Sequence, residues 1–381
     1  MPQVRVVSLE QVATILQEID IENILVSQAK AFNAYTAKQT QTPQRSTLNT
    51  DAHTTLIMPS RINTQTSVIK VVSVPKKDTK NGLPGVTLVL NNDTGEPRGL
   101  INARLLTAVR TAAGSALATR AIFHNNNRNN NRNLTLVVFG AGAQAKAHIQ
   151  LLIHVLPQIH NVIVCNRTLP RALELIKELQ PQYLDGDVKM IAFSISTGES
   201  STTGPEQQQQ QQQHQQQSKE DEFKKIIQNA HVICTCTNST EALFPGEWVT
   251  PGTHINMVGS FKPEMHEVDQ TLIKRAHVLV DAQAECEHEA GELILAKKLT
   301  GQNGVLTELG EIFGKDGQLN KATFPKEFST LTSSPTADPN REYSKDVSIF
   351  KSVGIAAQDV AITSLVLDYA EAKNIGSTVD M

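Results

Sequence analysis

The sequence predicts an α/β chain: a doubly wound parallel sheet, preceded by a smaller α+β unit that a C-terminal helix completes. Three observations carry that expectation. From Leu134 onward short apolar runs alternate with helical patterns, one of those runs opens into a glycine-rich turn, and the residues before 125 show period-two alternation instead. Near-continuous apolar strands separated by helices mean a parallel sheet covered on both faces.

The first unit, residues 1–124, opens with helical patterns around Val12–Phe32 and continues with β-rich "TTLIMP", "SVIKVVSVP" and "GVTLVLN". It ends on "INARLLTAVRTAAGSALATRAIF" (Ile101–Phe123), an Ala- and Leu-rich helix that places Arg110 on the same face as Leu106, Ala113 and Leu117. A guanidinium there needs an anion, because an unpaired buried charge is heavily penalised. "NNNRNNNRN" (residues 125–133) reads as a loop. Residues 134–310 then carry six strand-like runs: "LTLVVF", "NVIVC", "VKMIAFS", "HVICTC", "THINMV" and "HVLVD". Helical segments Ala143–Leu156 and Leu169–Leu179 lie among them. The glutamine tract Gln207–Gln217 lies within residues 196–220, which are too polar to bury a core and are expected to form a disordered insertion. Residues 311–344 read as a loop-rich connection. Within 345–381, Ser348–Ala372 reads as an amphipathic helix returning to the first unit.

Composition bounds the function. At 381 residues and a formal charge of −3, the chain has room for two cores and no charge excess for nucleic acid or membrane surfaces. The start, "MPQVRVVSLEQVATILQEI", lacks a secretory pattern, and no apolar run approaches the roughly 20 residues that cross a bilayer. Cys165, Cys234, Cys236 and Cys286 have no CxxC spacing and read as reduced thiols, with no metal expected and a cytoplasmic location.

Strand 134–139 runs into "GAGAQA", a G-x-G-x-x-A pattern at Gly140, Gly142 and Ala145. Such a turn gives a tight bend, close backbone approach to a pyrophosphate, and a helix seated near the sheet, which makes the unit Rossmann-type. At the end of the next strand, where an NAD enzyme usually places an acid, the chain reads Asn166, Arg167, Thr168. Arginine without a neighbouring carboxylate suits a 2′-phosphate, so NADP(H) is favoured over NAD(H), and Arg171 adds a second positive charge.

The series "RTAAGSALA", "FGAGAQAKAH", "VCNRT", "CTCTNST", "HINMVGS", "EHEAGEL" and "FKSVGIAAQDV" resembles the ornithine cyclodeaminase/mu-crystallin family of NAD(P)-dependent proteins, from about Pro43 to the C-terminal helix and outside the Asn and Gln tracts. The resemblance implies a homodimer formed through the first unit. It also implies a substrate domain binding the carboxylate of an amino or imino acid through Arg45, Lys70 and Arg110. Ala143, Gln144 and Thr237 join Gly140, Gly142, Asn166, Arg167 and Thr168 as expected cofactor contacts. Lys70 shares a strand face with Val68, Val72 and Val74, where burial would depress its pKa and fit it to proton transfer at the imine nitrogen. On this view the anion for Arg110 is the substrate.

The chain departs from the cyclodeaminase pattern at Leu56, where those enzymes carry a Glu before Met-Pro, and at Phe261, where they carry an Asp. Neither residue can pair with a second substrate amine. Glu264, His266 and Glu267 read as solvated residues capping the next helix, Glu289 and Glu292 as residues of a helix start, and Asp281 as an unassigned carboxylate at the sheet edge. The leading expectation is an NADP(H)-dependent oxidoreductase acting on the C–N bond of an amino or imino acid. Ornithine cyclodeamination with NAD and a nucleotide-regulated, non-enzymatic binding protein are the alternatives.

Overall fold

The computed structural model describes residues 3–63, 66–76, 83–125, 133–183, 186–195, 206–296, 306–329 and 346–380. The chain begins with β1 (Gln3–Val7), α1 (Leu9–Glu18), α2 (Ile21–Thr36), β2 (Thr40–Gln41), β3 (Ser46–Asn49), β4 (His53–Ile62), β5 (Ser67–Pro75), β6 (Gly85–Leu90), β7 (Pro97–Asn102) and α3 (Arg104–Asn125). There follow β8 (Leu134–Phe139), α4 (Ala143–Val155), β9 (Ile159–Asn166), α5 (Leu169–Leu179), β10 (Lys189–Ser194), α6 (Glu206–Gln228), β11 (Val232–Thr235) and β12 (His254–Met257). The last part holds α7 (Gln270–Arg275), β13 (Ala276–Val280), α8 (Gln283–Glu289), α9 (Gly291–Leu295), β14 (Thr307–Glu308), α10 (Lys326–Ser329), β15 (Val347–Lys351), α11 (Ala356–Ala372) and β16 (Ser377–Asp380).

Two sheets result. The first runs β16-β1-β7-β6-β5-β4-β2, with β3 on β4, and is antiparallel except where β1 meets β7. The second runs β10-β9-β8-β11-β12-β15-β13-β14 and is parallel throughout. This is the α/β architecture expected, with two more strands in the parallel sheet than the six runs read from the sequence. Helix α3 joins the two halves. It packs against α2, α4 and α11, and Thr119 accepts a hydrogen bond from Asn256 of β12 at 2.9 Å. Small residues make this possible: Ala112, Ala113, Ala116 and Ala118 are fully or almost fully buried, letting neighbouring elements approach on several sides.

Two stretches differ from their sequence reading. Where a disordered insertion was expected, the described part of the glutamine tract lies in α6, which starts at Glu206. Glutamine is a fair helix former, and the last turns of α6 are anchored, with Phe223 stacked on Phe193 at 5.6 Å, edge-on to Trp248 at 5.9 Å, and Ile227 fully buried. Residues 196–205 of that insertion, 126–132 of the Asn tract, 330–344 of the connection and residue 345 of the tail lie outside the described residues. Ser348–Lys351, read as helix, is strand, lying between β12 and β13 with every residue buried. A strand buried on both faces shows no alternation, so its short apolar run cannot be told from helix by period. Of the tail, α11 packs on the first half and β16 joins its sheet, whereas β15 belongs to the parallel sheet.

Candidate active site

Between the two sheets lies one cleft of about 2130 Å³, and every expected cofactor and substrate residue lines it. On the parallel-sheet side its wall is backbone. Gly140 leaves β8 with φ +104, and a Cβ there would lie 2.6 Å from the carbonyl oxygen of Cys236, so only glycine fits. Gly142 is the N-cap of α4, has no side-chain cap, and faces open space, so the first N–H groups of α4 are offered to the cleft. Ala145 is fully buried and lets α4 sit close to the sheet. These features fit a dinucleotide pyrophosphate.

Asn166 ends β9, and its side chain donates to Thr168 O at 2.9 Å, shaping the turn that exposes Arg167. Arg171 follows in the first turn of α5, on an exposed position of the same rim. Thr237 is committed to the protein: its N–H and hydroxyl donate to Glu267 Oε1 at 2.7 and 2.6 Å.

The opposite wall is made of side chains. Lys70 projects from β5 on the face shared with Val68 and Val72, all three buried beneath α11. Its Nζ lies 2.7 Å from Asp359 Oδ2, and Arg110 Nε lies 3.4 Å from Asp359 Oδ1. The anion beside Arg110 is therefore supplied by the protein, which corrects the expectation that the substrate is that anion. Gln358 clasps the same arginine in both directions. Its Oε1 accepts from Arg110 Nη1 at 2.8 Å, and its Nε2 donates to Arg110 O at 2.8 Å.

The guanidinium lies against Gly354, at φ +85, where a Cβ would come within 2.4 Å of Nη1. Among the described residues neither Arg110 Nε nor Asp359 Oδ2 makes a well-directed hydrogen bond, so charge holds this trio together. Burial pushes the Lys70 ammonium down to about 8; Asp359 opposes that and Arg110 reinforces it. Arg45 stands nearer the surface, paired with Glu289 Oε2 at 2.9 Å.

Buried carboxylates set the loops between these walls. Asp281 accepts from Ser352 Oγ and from the N–H groups of Val353, Gly354 and Ala282, at 2.6 to 2.9 Å, and so holds the loop against which Arg110 rests. Glu267 is not a solvated cap. It is fully buried and also accepts from Thr235 Oγ1 and Gly259 N, both at 2.8 Å, which ties the loops after β11 and β12; Asp269 is the residue that caps α7. Glu289 ends α8 rather than starting a helix. Glu292 does lie in the first turn of α9, but buried, where it accepts from Ser260 Oγ at 2.6 Å and faces Lys351 at 3.6 Å.

Sequence reasoning missed Gln358 and Asp359 as site residues. Their signal was present: an amide and a carboxylate inside the otherwise apolar run "VGIAAQDVAITSLVL". It also missed that His148, Cys234 and Cys236 come together, their ligand-type atoms within 4.8 Å of one another. Both ring nitrogens of His148 are engaged, with Ser115 Oγ at 2.9 Å and Gln144 O at 2.7 Å. Cys165, Cys234 and Cys286 are buried, and all four thiols are free.

Leu56, Met58, Val72, Val74 and Phe261 add apolar side chains to the lining of the cleft. Among the described residues, those of the antiparallel sheet that line the cleft include no carboxylate.

Known proteins resemble this chain over nearly its full length. A Δ1-pyrroline-2-carboxylate reductase of Bacillus thuringiensis subsp. konkukian is 27% identical over 371 residues, covering 95% of this chain and 96% of its own. Ketimine reductase mu-crystallin of Rattus norvegicus is 26% identical over 302 residues, covering 78% and 74%. Among solved structures, Thermococcus litoralis Δ1-pyrroline-2-carboxylate reductase in complex with NADH and L-proline shares the fold with TM-score 0.75 and 20% identity, covering 99% of this chain and 100% of the other. The family match spans residues 5–193 and 206–374, so it begins earlier than Pro43 and includes both low-complexity tracts. The chain belongs to the ornithine cyclodeaminase/mu-crystallin family.

Proposed function

We propose that this protein is an NADP(H)-dependent oxidoreductase acting on the C–N bond of an amino or imino acid, of the ketimine reductase type. One observation carries the reading. Lys70 and Arg110 bring two positive charges against the single carboxylate of Asp359, buried, on the same cleft as the glycine turn. One small carboxylate balances that surplus, and an arginine fork meets it bidentately.

Gly140, Gly142, Ala143 and Gln144 would hold the dinucleotide by its pyrophosphate, and its nicotinamide would supply or accept the hydride. The remaining work belongs to side chains. Arg110 orients the substrate carboxylate, and Arg45 guards the entrance. Lys70, with its pKa near 8, gives a proton to the imine nitrogen as carbon receives hydride, and takes it back in the oxidative direction. Leu56, Met58, Val72, Val74 and Phe261 exclude water and favour a cyclic or linear ketimine without a second amine.

Arg167 and Arg171 favour NADP(H) through its 2′-phosphate, and Asn166 and Thr168 shape their turn. Exposed Leu48, Leu100 and Val379 on the antiparallel sheet support a homodimer through that sheet. Free thiols suit the cytoplasm. No helix among the described residues is long and apolar enough to cross a membrane.

The test is NADPH oxidation, followed by absorbance, with pyrroline- and piperideine-2-carboxylates. Turnover of at least one ring size is expected. No turnover across a broad imino-acid and amino-acid panel, with NADPH binding demonstrated, overturns the reading. Release of ammonia from ornithine without net change in nicotinamide would establish cyclodeamination instead; Phe261 and Leu56 argue against it.

A further inference from the structure

We propose that α6, the helix carrying the glutamine tract, forms a wall of the cofactor cleft and supplies Lys219 as a third cation for the adenosine 2′-phosphate. This rests on the reading of Arg167 and Arg171 given above. The fold fixes where α6 points. It links β10 to β11, two strands of one parallel sheet, so it runs antiparallel to them and its earlier residues stand at the carboxyl edge of the sheet. That is the edge where Gly140 and Arg167 leave β8 and β9.

Phe223 sets the height. Its ring stacks on Phe193 at 5.6 Å with 13° between planes, and the next residue, Ser194, pairs with Asn166 across β10 and β9. Lys219 is one helical turn before Phe223, on the same face and roughly 6 Å further out. That places it level with the Asn166–Thr168 turn. Gln215, Gln216, Lys219 and Phe223 line the same cleft as Arg167, Thr168 and Arg171.

Charge gives Lys219 a reason to matter. The cleft residues from α4, α5, α6 and the turn after β9 comprise Lys146, Arg167, Arg171 and Lys219 against Glu174, Glu178 and Glu220. Lys146 is engaged by Glu178 at 2.5 Å. With Lys219 the stretch is positive by one; without it the two signs cancel. A phosphate of charge near −2 is attracted to the first arrangement and gains little from the second.

The experiment is equilibrium titration of the full-length protein with NADPH, NADH, 2′,5′-ADP and 5′-AMP, for the wild type, K219A and K219R. The wild type is expected to prefer NADPH to NADH and 2′,5′-ADP to 5′-AMP. K219A should weaken NADPH and 2′,5′-ADP by about tenfold, shift NADH and 5′-AMP by less than about twofold, and lose part of its salt dependence. K219R should restore the preference. A wild type that prefers NADPH while K219A keeps the same NADPH:NADH ratio overturns the role of Lys219 and leaves Arg167 and Arg171 standing. A wild type with no preference for NADPH overturns the 2′-phosphate reading itself, and this inference with it.

Discussion

The two walls of the cleft are built from different materials. Around the glycine turn the parallel-sheet wall is backbone: a left-handed Gly140, an uncapped α4 and a small buried Ala145 make a surface whose donors are N–H groups. All of it comes from one short run of chain. The opposite wall is made of long side chains brought from afar, with Lys70 on β5, Arg110 on α3, and Gln358 and Asp359 on α11. Backbone donors carry no net charge and need no counter-ion. Buried ammonium and guanidinium groups do need one, and Asp359 is its cost to the fold. The difference teaches where each wall is vulnerable: the first to added volume, the second to a change of charge.

The largest expected effect therefore belongs to Arg110→Ala. Leaving Lys70 and Asp359 without the third member should lower kcat/KM for the imino acid about a thousandfold, with NADPH affinity changed by less than about twofold. Steady-state kinetics paired with NADPH titration read both, and equal loss of the two would dissolve the contrast between the walls. Gly140→Val is the reciprocal change. A side chain 2.6 Å from the Cys236 carbonyl at φ +104 should weaken NADPH by about a hundredfold, while KM for the imino acid at saturating cofactor moves little.

The third prediction concerns pH. In the proposed chemistry reduction needs Lys70 protonated, so kcat/KM should fall tenfold per unit above about pH 8, and the oxidative direction should rise over the same range. The sign for stability follows from the same group. Between about 8 and the usual 10.5 the unfolded chain holds a proton that the folded chain has released, so Lys70 makes folding stability rise with pH through that window and contributes no slope below it. A profile unchanged by Lys70→Met would remove this lysine from the chemistry. The smallest effect is expected from Asp281→Asn, which trades one acceptor oxygen for a donor beside three N–H groups and a hydroxyl. Its loop should loosen around Gly354 and raise KM by about tenfold, with NADPH affinity unaltered.

The same contrast explains how much could be read in advance. The nucleotide wall was legible because glycine spacing after an apolar strand encodes backbone shape locally, and Gly140, Gly142 and Ala145 stand as that pattern requires. Arg110 and Lys70 were legible as oddities, charges on apolar faces. Their shared partner was not, because Asp359 is 249 positions from Arg110 and 289 from Lys70, and no local period links them. β15 was hidden for a related reason: burial on both faces erased its alternation. The helix through the glutamine tract was hidden for the opposite reason. Composition there speaks for solvation, but Phe223 and Ile227, beyond the tract in the last turns of α6, give the helix a foothold on the sheet.

The placement of β15 and α11 has a consequence for biosynthesis. The parallel sheet receives β15 between two strands that precede it in the chain, and the carboxylate beneath both cations arrives only with the helix that follows. A nascent chain emerging from the ribosome therefore presents the glycine turn long before residues 347–372 can close the cluster of Lys70, Arg110 and Asp359. Until those residues dock, two cations await a counter-ion, so the segment that carries Asp359 balances a charge that the earlier chain leaves open.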